Sequence, residues 1–106
     1  MKLESVLYWI TQLDQVAAEN PMRRVLALRT IAHSLDGCPE AVEAAIKSLK
    51  EDRQSGVRQT AAQILGEMAE RTDAVRHVLA WASEHDDPFV GVAAANALIK
   101  PKPPKE

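Results

Sequence analysis

Apolar residues recur along the chain with the spacing of one face of an amphipathic helix. A set at i, i+3, i+4 and i+7 begins at Val42, and the same spacing begins again 33 residues later at Val75. Moving back 36 residues gives a third set, which begins at Val6. Because a half-buried strand would alternate with a period of two, this spacing predicts helices and not a sheet.

A second apolar segment lies between these sets and is also repeated. Residues 57–65 match residues 90–98 after a shift of 33, which places Leu65 on Leu98. A shift of 34 in the other direction places Leu65 on Ile31. Two alternating helical segments with a period near 33 residues are typical of stacked helix pairs. The sequence therefore predicts an all-α fold: a right-handed α-α superhelix (solenoid) of three helix pairs, six helices in all. The first helix of each pair is called A and the second B.

Residues that begin and end helices support this division. Asn20-Pro21 and Asp87-Pro88 each place an N-cap side chain before a proline at the first helical position, and Thr72-Asp73 opens the fifth helix. The predicted helices are 3–18, 21–35, 39–51, 55–70, 73–85 and 88–100. We expect one domain over 1–100, with repeats at about 1–36, 37–70 and 71–100. The proline-rich and lysine-rich residues 101–106 are expected to form a flexible tail.

The middle repeat carries a motif of a known family. Asp52 is followed by Val57-Arg58, Ala61-Ala62 and Ile64-Leu65-Gly66. This pattern resembles the HEAT repeat, in the short bacterial form that is also seen in phycobilin-lyase-type proteins. The resemblance extends over the three repeats and implies a helical scaffold that binds other proteins.

The same resemblance implies a ladder of Asp and Arg side chains between repeats. In the family, an Asp in the turn precedes an Arg by six residues, and Asp52 and Arg58 have this spacing. The outer copies depart from it, because Ala18 stands six residues before Arg24 and His85 stands six before Gly91. An incomplete inter-repeat ladder, confined to the middle repeat, is therefore expected.

Charge and cysteine content narrow the setting. The net charge is −2, so the chain lacks the basic field that attracts nucleic acid. Cys38 is the only cysteine, which excludes an internal disulfide and favours a reducing compartment. The first residues are not those of a signal peptide, and no apolar run is long enough to span a membrane. The expected location is the cytoplasm.

No arrangement of residues indicates catalysis. Iron-binding hydroxylases with similar repeats carry His-Glu pairs where this chain has Gln59-Thr60 and Val92-Ala93. The three histidines, His33, His77 and His85, fall on different predicted helices and share no ligand spacing. Cys38 is interpreted as a substitute N-cap of the third helix. We therefore expect no catalytic residue, no metal, no cofactor and no enzymatic activity.

Two surfaces are candidates for binding a partner. In a stack of helix pairs the B helices line the concave side. The side chains expected there are Arg29, His33, Gln59, Gln63, Glu67 and Asn96.

The second candidate is the last helix, whose only strongly polar side chain is Asn96. Its residues Phe89, Val92 and Ile99 are too many apolar groups to face one preceding repeat, so another chain is expected to cover some of them, possibly a second copy in a homodimer. Leu7 and Tyr8 also make the first helix more apolar than its counterpart in the second repeat.

The function predicted from the sequence is a small scaffold or adaptor for protein–protein interaction. One alternative is a bilin-lyase-like chaperone or enzyme subunit that binds a tetrapyrrole, which would need a deep apolar groove with a paired Arg and Asp. A second alternative is a DNA-associated protein. Nucleic acid is disfavoured as a partner, because Glu67 and Glu70 interrupt the groove and the chain is acidic.

Overall fold

A computed structural model describes residues 2–13 and 20–99 of the chain, and these residues are helical with no strand among them. The helices are α1 Leu3–Thr11, α2 Pro21–Ile31, α3 Pro39–Glu51, α4 Ser55–Gly66, α5 Asp73–His85 and α6 Pro88–Ile99. A 3₁₀ segment, Ala32–Gly37, follows α2. The prediction of six helices in an all-α fold is confirmed. The predicted tail, 101–106, lies outside the described residues.

Three of the helices begin at caps that the sequence indicated. The Asn20 side chain accepts a hydrogen bond from the Met22 backbone N–H at 3.1 Å, and Thr72 accepts one from Val75 at 3.3 Å. Asp87 accepts one from the Val90 N–H at 3.0 Å. Each bond satisfies an N–H group that has no partner within its own helix.

Cys38 does not cap α3 as expected. It occupies the N-cap position, but its side chain makes no capping hydrogen bond. The Sγ atom instead lies 3.8 Å from an Oε1 atom of Glu40. A thiol is a weak acceptor, and the proline at the first helical position has no N–H group to offer.

Two predicted helix ends were placed too late. The fourth helix was expected to reach residue 70, but α4 ends at Gly66. Arg71 donates to the Gly66 carbonyl at 2.9 Å, and the Ala69 N–H donates to Asp36 at 2.9 Å, so side chains satisfy the groups after the helix. The second helix was expected to reach 35, but the chain tightens into the 3₁₀ segment after Ile31. Of the predicted first helix, 14–18 lie outside the described residues.

The helices form two layers, one of A helices (α1, α3, α5) and one of B helices (α2, α4, α6). Each helix contacts its own pair partner and the helix of the same type in the next repeat. Alanines recur at buried B-helix positions, as at Ala27, Ala61 and Ala94. Small side chains at these points let the helices approach one another closely, as the sequence repeat required.

Candidate partner-binding surface

A buried ion pair joins the first repeat to the second. The Arg24 Nε atom lies 2.7 Å from Asp52 Oδ2, and its Nη2 atom lies 3.1 Å from Asp52 Oδ1. Both side chains are more than nine-tenths buried. A two-pronged guanidinium–carboxylate contact of this kind fixes the relative orientation of the helices that carry it.

Arg58 plays the same part between the second repeat and the third. It donates to the Asp86 carboxylate from Nε at 3.1 Å and from Nη2 at 3.1 Å, and Nη2 also lies 3.2 Å from Asp87. Its Nη1 atom donates to the Asp52 backbone carbonyl at 2.8 Å. One guanidinium therefore holds the turn before α4 and the turn before α6 together.

The expectation of a ladder confined to the middle repeat is wrong. Asp52 and Arg58 do not pair through their side chains; each pairs with a residue of a neighbouring repeat, Arg24 and Asp86 respectively. Asp86 lies 34 residues after Asp52, whereas a shift of 33 leads to His85. The reason is that two residues connect α5 to α6 but three connect α3 to α4. The partner of Arg58 was detectable only with this one-residue difference.

The concave stripe, defined by the six B-helix residues predicted to bind a partner, contains three side chains that contact one another. Arg29 Nη2 donates to Gln63 Oε1 at 2.6 Å, and Arg29 Nη1 lies 3.5 Å from Glu67 Oε1. Arg29 and Glu67 each keep 47% of their side-chain surface exposed. The charges are thus held in position while solvent still reaches them, which suits recognition of polar groups on another molecule.

The other members of the stripe are less tightly defined. His33 and Asn96 are exposed and Gln59 is half-buried. The stripe runs from α2 across α4 to α6, so the residues come from all three repeats. It combines one positive charge, one negative charge and several amide or imidazole groups. This mixture offers both hydrogen-bond donors and acceptors to a partner.

Large apolar side chains are exposed on the last helix. Phe89, Val92 and Ile99 are 71%, 61% and 80% exposed, while Ala93 is buried. Asn96 is exposed beside them. The three residues that the sequence singled out as a docking surface are therefore on the outside of the stack.

An apolar groove of about 460 Å³ lies between α3 and α5, on the side away from the concave stripe. Trp81 is half-exposed on one wall and Ile46 faces it from the other. The remaining lining residues are Lys50, Ala74, His77 and Val78. These walls contain no paired Arg and Asp, which the tetrapyrrole-binding alternative requires.

Ligands for a metal do not converge in the part of the chain that the structure covers. Over residues 2–13 and 20–99, no three His, Cys, Asp or Glu side chains come close enough to hold an ion. Within the same residues, no helix has the length and apolar character needed to cross a membrane.

Stacked helix pairs with a ladder of Arg and Asp between them define a helical-repeat protein of the solenoid class. The family model for HEAT repeats matches residues 9–99. The chain therefore belongs to the HEAT-repeat family. Neither the curated proteins nor the solved structures gave a match. HEAT repeats generally mediate protein–protein interaction or scaffolding.

Proposed function

We propose that this protein is a small adaptor that binds another protein through its concave stripe. The observation that carries the proposal is the Arg29–Gln63–Glu67 contact, which holds two opposite charges and an amide across two repeats. Arg29 and Glu67 remain half-exposed, so a partner gains directed polar contacts without first unfolding the stack. A rigid surface loses little conformational entropy on binding.

The same proposal treats the chain as a non-enzyme and gives the apolar face of α6 a part in protein contacts. Exposed Phe and Ile side chains are enriched in the centres of interfaces and costly to leave in water. Nothing in the geometry of the described residues favours the tetrapyrrole or DNA alternative, so neither is developed further. The proposed location remains the cytoplasm.

The test is a comparison of captured partners between the natural sequence and a charge-reversed concave variant, Glu67→Lys. The tagged protein is used to capture partners from the source cell, and each retained protein is purified and titrated separately. A true partner of the stripe is expected to bind the Glu67→Lys variant at least tenfold more weakly, because one complementary charge becomes a repulsive one.

Glu43→Lys is the matched control. Glu43 is exposed on α3, in the layer opposite the stripe, and the substitution makes the same change of charge. It should leave the affinity unchanged. A partner that loses affinity equally with both variants binds by overall charge, and one that tolerates Glu67→Lys binds elsewhere; either outcome contradicts the proposal. Unfolding of both variants in urea checks that the stack is intact.

A further inference from the structure

The two ends of the stack differ from its middle in what they expose. Nine large apolar side chains are exposed among the described residues, and eight of them lie on α1, α2 and α6, whereas none lies on α3 or α4. We define the N-terminal face as Leu3, Leu7, Tyr8 and Leu26, and the C-terminal face as Phe89, Val92 and Ile99. Exposed apolar groups gathered at both ends indicate surfaces that are covered in an assembly.

The N-terminal face consists of positions that a preceding repeat covers elsewhere in the stack. Leu26 on α2 corresponds to Thr60 on α4 and to Ala93 on α6. Thr60 and Ala93 are both buried, and each lies on a B helix that follows another B helix. Leu26 is instead 55% exposed and is larger than either counterpart. The residue at this position is thus suited to an apolar contact that the single chain does not provide.

The C-terminal face shows the reverse relationship. Ile99 on α6 corresponds to Gly66 on α4, the position at which α4 meets α6 most closely. A Cβ atom added at Gly66 would lie 2.5 Å from the Cβ atom of Ala97. Ile99 places four carbon atoms at the same position and leaves them in solvent. Whatever packs on this face meets a projecting side chain and not the flat surface found inside the stack.

The Arg–Asp ladder is missing from both ends together. Gly91 stands where α4 has Arg58, so α6 offers no guanidinium to a following repeat, and in the sequence Ala18 stands where the second repeat has Asp52. An Arg without its Asp, or the reverse, would be a buried charge without a partner and strongly destabilising. Because both are absent, the two faces can be joined without that penalty.

We infer that the C-terminal face of one copy packs on the N-terminal face of a second copy, head to tail. The inference rests on the part of the proposed function that assigns the α6 face to protein contacts, and it names the occupant. Residues 1–20 contain one Lys and three acids, a net charge of −2, and residues 100–106 contain three Lys and one acid, a net charge of +2. Head-to-tail packing joins ends of opposite charge, whereas two-fold pairing through α6 would join two positive ends.

The size of the faces sets the strength of the contact. Two helices of this length side by side present on the order of 400 Å² in projection, since a helix of 12 residues is about 18 Å long and about 10 Å wide. Standard interfaces bury about 800 Å² on each partner. The assembly is therefore reversible, forms at micromolar to millimolar concentration and grows by adding copies, because a head-to-tail contact always leaves one face open.

Sedimentation velocity with two double variants tests this arrangement. Leu7→Glu with Leu26→Glu alters the N-terminal face, and Phe89→Glu with Ile99→Glu alters the C-terminal face. The natural sequence should show an average mass that rises with concentration beyond that of a dimer. Each variant alone should be a monomer, and an equal mixture of the two should form a 1:1 dimer through the one intact pair of faces.

Other results overturn the inference. A natural sequence that stays monomeric at the highest concentration excludes self-assembly, and a mixture that stays monomeric excludes the head-to-tail contact. An N-terminal variant that dimerises as well as the natural sequence indicates two-fold pairing through α6. Trp81→Glu is the control, since Trp81 is exposed on neither face and its change should leave assembly intact. Leu26→Ser and Ile99→Ser replace the double variants if these lose helicity. Partner capture by the concave stripe is measured separately, so the failure of one proposal leaves the other testable.

Discussion

The contact between the first and second repeats differs from that between the second and third, although both contain the same ion pair. At the first contact, Arg29 on α2 reaches across to Gln63 and Glu67 on α4. At the second, Gly66 on α4 lies directly against Ala97 on α6. The residues at the position of closest approach are Ala32, Gly66 and Ile99 in the three repeats. The side chain at this one position thus distinguishes a contact bridged by polar groups, a close contact and an open face.

The largest expected effect comes from the ion pair that the two contacts share. Arg58→Met leaves the Asp86 carboxylate, which is nine-tenths buried, without its guanidinium. We expect a loss of about 3 kcal/mol in the free energy of unfolding, measured in urea, because an unpaired buried charge is costly. Arg24→Met should cause a similar loss, since Asp52 is equally buried.

Arg76→Met is the control for this prediction. Arg76 pairs with Asp73 on the surface of α5, where both side chains are largely exposed. The same substitution there should cost no more than about 0.5 kcal/mol. If all three variants lose the same stability, the ladder does not hold the repeats together and the comparison of the two contacts loses its common element.

The next largest effect distinguishes the second contact from the first. Gly66→Ala places a methyl group on Ala97 and should cost about 2 kcal/mol, because α4 and α6 must move apart. Gly56→Ala is a matched substitution in the same helix, and a Cβ atom there meets nothing within 4 Å. It should stabilise the protein by about 0.5 kcal/mol, since alanine favours a helix more than glycine does. Two changes of the same sign in urea unfolding would show that the close approach is unimportant.

Much of the fold follows from the sequence because the apolar period and the caps act locally. The spacing that begins at Val42 and returns at Val75 predicts helices that the structure contains, and Asn20, Thr72 and Asp87 cap them as expected. The ends of α2 and α4 did not follow. They depend on Asp36 and Arg71, whose partners belong to the connecting segments and are set by tertiary packing.

The candidate surface was predictable to a lesser degree. The helical register places Arg29, Gln63 and Glu67 on one side, but it does not show that they contact one another across 34 and 38 residues. The pairing of Arg58 with Asp86 was missed because a fixed shift of 33 residues cannot represent turns of different length. Long-range polar pairs depend on loop lengths, which the apolar period does not encode.

A smaller effect concerns the polar link beside the first contact. Asp36→Ala removes the acceptor of the Ala69 N–H and should cost about 1 kcal/mol. Hydrogen exchange of the Ala69 amide should become faster, because that N–H is left to water. Asp36→Asn keeps an acceptor oxygen and should preserve most of the protection. Equal exchange in both variants and in the natural sequence would contradict the assigned bond.

The smallest effect on stability is expected from the concave stripe itself. Arg29→Ala removes the contacts with Gln63 and Glu67, but these side chains are half-exposed, so water replaces the lost partners. The expected cost is at most about 0.5 kcal/mol in urea, and it should shrink further at high salt. A loss above about 1.5 kcal/mol would mean that the stripe holds the first two repeats together. The small cost predicted here leaves Arg29 available to a partner at little expense to the fold.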